Sequence, residues 1–397
     1  MSSVRFSLEA QRARWPVVLQ QPFRLFFLAA AWFAVFHGAL WGGMLASGSM
    51  VIEGNPFLWH GYHMVFGFAV AIVIGFLLTA AANWIGKPVS PPALTLGLFL
   101  AWCVARLGGF LPDLLPWALV TLADAVALWG ACIALGVALL RAGNRRNYLF
   151  IAVLAALALA ATACFLAVTG IISDIRFALM RIGLDLMLLL MVIMGQRIIP
   201  FFTERRLPHL GVRRSPLLML LTPMVVAAGL LANYLGWPMP AMALMLSAAV
   251  LLLVHMTLWR SWGSWPEPML WILHLGYLWL ALALVLRAGS LGFGWMPYST
   301  AGHAVSVGAL GALGLGMLAR VSLGHTGRMI QAKPWIVLAF VLVSLAAVFR
   351  LMTGFPIGLL MQWLFGLSAL SWILAWLIFA ISYAPILTGP RADGQPG

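Results

Sequence analysis

Twelve apolar runs of about 20 residues, separated by proline, glycine and charged clusters, constrain this chain more than any other feature. At about 1.5 Å per residue, a helix of that length crosses a hydrocarbon core of about 30 Å. The composition agrees, because 64% of the residues are apolar, 8% are charged and the mean hydropathy is +1.04. The alternation of an outer-membrane barrel is missing. The sequence therefore predicts an all-α polytopic membrane protein, a bundle of about 12 transmembrane helices.

The breaks at proline, glycine and charge clusters place the ends of these spans to within about 2–4 residues. The charged lead before the first span runs into a full-length apolar stretch without a small-residue cleavage pattern, so we expect that span to be retained. The predicted spans are Leu25–Ser47, Leu58–Ala82, Ala93–Phe110, Leu115–Leu140, Tyr148–Ile171, Phe177–Phe201, Pro216–Gly236, Pro240–Arg260, Pro268–Arg287, Pro297–Leu318, Pro334–Arg350 and Ile357–Tyr383.

The distribution of basic residues predicts the orientation of the bundle. If the N-terminus is cytoplasmic, most of the 23 basic residues lie in cytoplasmic segments. We therefore predict a cytoplasmic N-terminal segment (1–24), one transmembrane domain (25–386) and a cytoplasmic tail (387–397). The basic residues outside this pattern are Arg106, Arg176, Arg181, Arg287 and Arg350.

The net charge of +14 is spread over short loops, so it predicts membrane orientation rather than nucleic-acid binding. Cys103, Cys132 and Cys164 stand singly within apolar runs, and we interpret them as small packing residues rather than disulfide or thiolate ligands. The sequence contains no nucleophilic triad, phosphate-binding glycine loop or paired catalytic carboxylates. Hydrolysis and phosphoryl transfer are therefore not predicted.

Histidines within predicted spans are the strongest indication of function, because ionisable residues in membranes are rare. The predicted topology places them at two depths in the membrane, which we call the outer and the inner layer. His209 lies instead in a basic loop, where we expect an exposed surface histidine. The outer layer contains His37, His60, His63 and His303, and the inner layer contains His255, His274 and His325.

The two layers predict two separate sites. His303 and His325 are 22 residues apart, about 33 Å along a helix, so they cannot share one metal or macrocycle. His60 and His63 are three residues apart, so both could be ligands, or one could lie beside an open metal position. Neutral imidazole binds haem iron and copper. The alternative is that each histidine only hydrogen-bonds a neighbouring helix.

Other polar or small residues within spans also leave two interpretations open. Asp124, Arg181 and Asp185 could form a proton relay or a structural ion pair, since Arg181 and Asp185 are one helical turn apart. The glycines of span ten allow close approach of a helix or of a flat macrocycle. These glycines are Gly308, Gly311, Gly314 and Gly316.

Five blocks of the chain together resemble the NnrS family. They are "PFRLFFLAAAWFAVF", "WHGYHMVFGFAVAIVIGFLLTAAANWIGKP", "GQRIIPFFT", "EPMLWILHLGYLWL" and "HAVSVGALGALGLGMLARVSLGHTGR", in that order. The resemblance covers nearly the whole chain. It implies a multi-pass bacterial inner-membrane protein that contains haem and copper and handles nitric oxide during denitrification or nitrosative stress.

The resemblance also assigns residues. His60, His274, His303 and His325 fall on family histidines, and Arg24, Asn83, Arg197, Arg320 and Arg328 fall on family polar positions. One block departs from the family run Trp-His-x-His-Glu-Met, since Tyr62 stands at the second histidine and His63 at the glutamate. Either His63 has become the ligand, or this chain belongs to a subgroup with altered chemistry, which leaves copper at that site open.

The leading hypothesis is a membrane protein that binds or reduces nitric oxide with one or two haem b groups, with or without copper or non-haem iron, and receives electrons from an unknown donor. The alternatives are a proton-coupled secondary transporter and a non-catalytic haem or nitric oxide sensor. Arg24, Arg320 and Arg328 are expected to pair with haem propionates, and the alternative is that they serve only as cytoplasmic-side charges that orient the bundle. The predicted catalytic residues are His60, Tyr62, His63 and His303. The predicted metal ligands are His60, His63, His274, His303 and His325, and further cofactor contacts are His37, His255, Arg24, Arg320 and Arg328.

Overall fold

The computed structural model describes residues 14–50, 55–111, 113–356, 358 and 360–395. It confirms the all-α prediction, because each predicted span corresponds to one helix long and apolar enough to cross a membrane. The helices are α1 Pro22–Ser47, α2 Pro56–Ile85, α3 Pro92–Phe110, α4 Trp117–Arg141, α5 Tyr148–Val168, α6 Arg176–Arg206, α7 Pro216–Tyr234, α8 Pro238–Leu258, α9 Pro268–Phe293, α10 Tyr298–His325, α11 Pro334–Met352 and α12 Leu360–Thr388.

Proline and glycine mark the helix ends as their chemistry dictates. Seven of the helices begin with proline, whose missing N–H costs nothing in the first turn. At the start of α2, Asn55 adds a cap, since its side-chain oxygen accepts hydrogen bonds from the N–H groups of Phe57 and Leu58. Gly48 and Gly86 end α1 and α2 with positive φ angles of 69° and 67°.

The predicted and observed ends differ most at α10, which continues past the predicted end at Leu318 to His325. Helix α12 also differs from its prediction at both ends. Its predicted start, Ile357, lies outside the described residues, and the helix continues past the predicted end at Tyr383 to Thr388. The Arg24 guanidinium donates hydrogen bonds to the carbonyls of Leu387 (3.0 Å) and Gly389 (2.8 Å), so the last carbonyls of α12 are satisfied inside the protein. Hydropathy cannot detect this stabilisation.

Helices α2 and α10 form the centre of the bundle. In each, 83% of the most apolar 18-residue window is buried, against 28% in α7 and 33% in α8, which lie at the periphery. Around this centre, α2 packs on α1 and α4, and α10 packs on α9, α11 and α12. We call the bundle face near the start of α2 and α10 the His60 end, and the face near their finish the His325 end.

Both central helices change their winding just inside the His60 end. A π-helical segment occupies His63–Ala69 in α2 and Ala304–Ala309 in α10. π-segments are rare and frequently accompany functional sites. The two segments lie next to predicted site histidines, because the first begins at His63 and the second follows His303 directly.

The glycines of α10 serve mainly to let neighbouring helices approach. A Cβ on Gly308 would lie 2.7 Å from the Trp279 ring, one on Gly316 would lie 2.8 Å from Ile272, and one on Gly311 would lie 2.8 Å from Val343. These contacts come from α9 and α11. The structure therefore supports the helix-packing interpretation for these three positions.

Candidate functional site at the His60 end

A small cavity lies between α1, α2, α10, α11 and α12 near the His60 end, and we call it the His60 cavity. Its volume is about 90 Å³, and a water molecule takes about 30 Å³ in the liquid, so it has room for one or a few small molecules. Its polar lining comes from all five of these helices. The side chains that line it include His37, Trp41, His60, His303 and Arg350.

His303 presents an unprotonated ring nitrogen at this cavity. Its Nδ1 lies 2.8 Å from the carbonyl oxygen of Ser299, and a carbonyl can only accept, so Nδ1 carries the proton. In the neutral ring, Nε2 then holds the lone pair. A histidine whose second nitrogen donates to a backbone carbonyl is the usual arrangement for a metal ligand, because the bond fixes tautomer and orientation.

His60 and His37 form a pair. His60 Nδ1 lies 3.0 Å from His37 Nε2, so one ring donates to the other. Each ring also stacks on a tryptophan, His60 on Trp41 with centroids 4.3 Å apart and His37 on Trp59 at 4.4 Å. If His60 is the donor, its Nε2 holds a lone pair like that of His303. The structure thus brings His37, His60 and His303, three of the four predicted outer histidines, to one cavity.

His63, the fourth outer histidine, lies in a separate buried network. The Arg106 guanidinium is 2.8 Å from His63 Nδ1, and since arginine only donates, Nδ1 accepts and the proton of the neutral ring is on Nε2. That Nε2 faces Gly109 so closely that a Cβ there would be 2.0 Å away. In this arrangement His63 offers no lone pair to a metal, and its predicted ligand role stays a prediction that requires the Arg106 bond to break.

Tyr62 belongs to the same network. Its hydroxyl donates to Asp124 Oδ2 at 2.9 Å, and Asp124 also forms an ion pair with Arg106. All four side chains are buried, with at most 4% of Arg106 exposed. Sequence spacing could not reveal this network because its members come from α2, α3 and α4.

A second buried ion pair has the same composition. Asp185 of α6 pairs with Arg287 of α9, and not with Arg181 one turn away as the spacing suggested. The Tyr234 hydroxyl donates to Asp185 Oδ2 at 2.8 Å. Arg287 also lies over the Tyr298 ring, 5.4 Å from its centroid, at the start of α10.

The three inner histidines occupy three different environments. Both ring nitrogens of His274 are hydrogen-bonded, Nε2 to Thr203 (2.9 Å) and Nδ1 to Ser261 (2.8 Å). His255 Nε2 bonds Thr222 at 3.0 Å. His325 lines a separate cavity of about 140 Å³ at the other end of the bundle, where its Nε2 is 3.5 Å from the Asn83 amide nitrogen.

The three arginines predicted to bind propionates lie towards the His325 end. Arg24 is fully buried, and its Nε and second terminal nitrogen have no hydrogen-bond partner within the described part of the chain. Arg320 lies over the Phe202 ring at 4.0 Å from its centroid. Arg328 donates to the Thr326 carbonyl at 3.2 Å. Their propionate role stays a prediction.

Arg350 is the cavity residue that sequence reasoning missed as a functional candidate. It lies at the end of α11, donates to Thr353 Oγ1 at 2.6 Å and packs over the Phe365 ring at 5.1 Å. Its guanidinium is permanently charged and lines the cavity together with three histidines. The sequence does give one indication that Arg350 is unusual, because it is one of the five basic residues outside the predicted cytoplasmic segments.

The donors of the His60 cavity suit a haem better than a metal held by protein alone. Among the residues that the structure describes, no group of three or more His, Cys, Asp and Glu side chains is arranged to hold a metal ion, whereas structural and catalytic zinc sites take three or four such ligands. A haem iron needs only one or two histidines. The cavity itself is of diatomic size, so a macrocycle requires side chains such as Trp41, stacked on His60, to move.

The family profile described as NnrS protein matches residues 17–391. The chain belongs to the NnrS family. No curated protein matches the chain significantly. The NnrS match contains all twelve helices and every residue of the His60 cavity named above. NnrS membership indicates a membrane protein related to nitric oxide.

Proposed function

We propose that this NnrS-family protein binds nitric oxide in the His60 cavity on a haem b that His303 would hold, with His60 beside the bound gas, and reduces it with electrons from an unidentified donor. The observation that carries the proposal is the His303 tautomer. Its Nδ1 proton is engaged by the Ser299 carbonyl, so Nε2 presents its lone pair to the cavity. The family match supplies the link to nitric oxide.

The protein side chains would control binding by size, polarity and charge. A haem, when bound, supplies iron that coordinates nitric oxide and accepts or donates one electron at a time. Apolar side chains such as Met64 and Val307 exclude bulk water from the cavity. Arg350 donates hydrogen bonds towards any negative charge that develops on a bound nitrogen oxide, and it does so more strongly away from water.

We also propose a second cofactor, which is a haem, copper or non-haem iron, at the His325 end. There His325 lines its own cavity, and Arg24, Arg320 and Arg328 lie towards the same end of the bundle. The protein would lie in the bacterial cytoplasmic membrane with both termini inside, as the distribution of basic residues predicts.

The test is a reduced-minus-oxidised absorption spectrum of the purified full chain, with metal analysis of the same sample. We expect haem b bands that lose intensity in His303→Ala and keep it in His209→Ala, since His209 lies in the loop between α6 and α7. Equal spectra for the two variants would refute His303 as a ligand.

A folded, fully expressed protein without colour or metal would refute the haem proposal. In that case the buried Asp124–Arg106 and Asp185–Arg287 pairs would favour the proton-coupled transporter. If haem is present, titration of the reduced protein with nitric oxide separates binding, which shifts the bands, from turnover, which consumes the gas and reoxidises the haem.

A further inference from the structure

A much larger cavity also lies at the His325 end, separate from the cavity that His325 lines, and we call it the Lys333 groove. Arg328, which the sequence predicts to pair with a haem propionate, is one of its lining residues. The groove has a volume of about 550 Å³, six times that of the His60 cavity. It is formed by the connection between α10 and α11, the first turn of α11 and the last turns of α12. The groove therefore lies where membrane-spanning helices end, at the level expected for lipid headgroups.

The groove is positively charged on one side. Arg328 and Lys333 line it, and the lining described for it contains no acidic side chain. Arg328 uses one terminal nitrogen to bond the Thr326 carbonyl, which leaves its other donors available. The Asp393 carboxylate lies beside Gly327, which precedes Arg328 in the chain, but it is paired with Arg391 at 2.5 Å.

A third guanidinium lies directly behind the groove wall. Ile386 of α12 lines the groove, and its carbonyl accepts a 3.4 Å hydrogen bond from buried Arg24. Arg24 has two further nitrogens without a partner within the described part of the chain. Arg24 thus adds a third positive charge behind the cationic side of the groove, which favours an anionic occupant over a neutral one.

The other walls of the groove are apolar or aromatic. Leu323, Ile336 and Pro385 supply aliphatic surface, and Trp335 is 46% exposed with Lys333 Nζ 5.0 Å from its ring centroid. Tryptophan beside lysine at a helix end is typical of the membrane interface. A cationic side joined to an aliphatic side matches a molecule with an anionic head and acyl chains.

We propose that the Lys333 groove binds one anionic phospholipid, with the phosphate at Arg328 and Lys333 and an acyl chain along Ile336 and Pro385. The charge and the position of the groove together identify this occupant. A free phosphate would leave the aliphatic wall uncovered, and a zwitterionic lipid would not balance the positive charge of Arg328 and Lys333. The proposal does not depend on haem or nitric oxide.

The test is native mass spectrometry of the full chain in detergent, titrated separately with phosphatidylglycerol and phosphatidylcholine of the same acyl chains. We expect one tightly bound phosphatidylglycerol and several-fold weaker phosphatidylcholine. Lys333→Gln should weaken phosphatidylglycerol about fivefold, because one basic residue near an anionic lipid contributes about 1 kcal/mol. Lys333→Arg should retain binding, and Lys87→Gln, an exposed lysine in the connection after α2, is the matched control.

Three results would overturn the proposal. The first is equal binding of the two lipids, and the second is equal weakening by Lys333→Gln and Lys87→Gln. The third is full displacement of phosphatidylglycerol by millimolar inorganic phosphate, which would mean that the groove is a phosphate site. The Lys333 variants should leave the haem spectrum unchanged. A failure of the lipid-binding proposal can therefore be distinguished from a failure of the haem proposal.

Discussion

Removal of the Asp124 carboxylate provides the sharpest test of the buried network beside the His60 cavity. Only 1% of the Asp124 side chain and 4% of the Arg106 side chain are exposed. Asp124→Ala leaves a charged guanidinium buried with His63 as its remaining polar side-chain contact, and leaves the Tyr62 hydroxyl without its acceptor. Breaking a buried pair from one side costs about 3–5 kcal/mol, so we expect Asp124→Ala to reduce the free energy of unfolding by at least about 3 kcal/mol.

The same chain offers a matched control. Asp174 forms an ion pair with Arg176 at 2.8 Å, but 57% of the Asp174 side chain is exposed, so Asp174→Ala should cost only about 0–1 kcal/mol. Both variants can be measured by reversible unfolding in mixed micelles with increasing dodecyl sulfate, followed by circular dichroism. A double replacement, Arg106→Met with Asp124→Leu, should recover most of the loss. A loss below about 1 kcal/mol for Asp124→Ala, or equal losses for the two aspartates, would refute the reasoning.

Two further predictions concern single positions. Gly109→Ala should destabilise the protein by about 1–3 kcal/mol, because its Cβ would lie 2.0 Å from the His63 ring, whereas Gly97→Ala, with no atom within 4 Å, should be neutral or stabilising in the same unfolding assay. Hydrogen bonds from the Arg176 side chain lower the pKa of Asp174 from 3.8 to about 2. Its small contribution, below about 1 kcal/mol at this exposed site, should be present above pH 4, shrink as the pH falls towards 2 and disappear below pH 2. Wild type and Asp174→Asn should therefore differ more at pH 5 than at pH 2, and an undiminished difference at pH 2 would contradict this.

Span number and approximate ends followed from hydropathy, because each helix must be long and apolar enough to cross the membrane. One deviation arises where a side chain from another helix acts on an end. Helix α12 extends to Thr388 because Arg24, more than 360 residues earlier, satisfies its final carbonyls. Neither π-segment was predicted, since an extra residue in a turn leaves the hydrophobic pattern almost unchanged.

Sequence reasoning recovered part of the candidate site. The depth layers correctly placed His37, His60 and His303 near one another, because depth in a membrane follows from position in a span. The depth of a residue in the membrane does not determine which neighbouring helix its side chain points towards. His63 therefore falls in a network with Arg106, and Arg350 enters the cavity from a helix that spacing could not connect to His60.

The two buried ion pairs explain why charges are present at this depth. Each arginine contacts the start of a histidine-bearing central helix. Arg106 bonds His63 and lies against Gly67 in the π-segment of α2, while Arg287 lies over Tyr298 and within 4.0 Å of a Cβ built on Gly302, beside His303. A buried ion pair gains little stability over apolar packing, so its retention on both helices requires another reason. Fixing the position of the segments that carry His60 and His303 would provide one if these histidines bind the proposed cofactor, because ligands must be held within about 0.5 Å of a productive geometry.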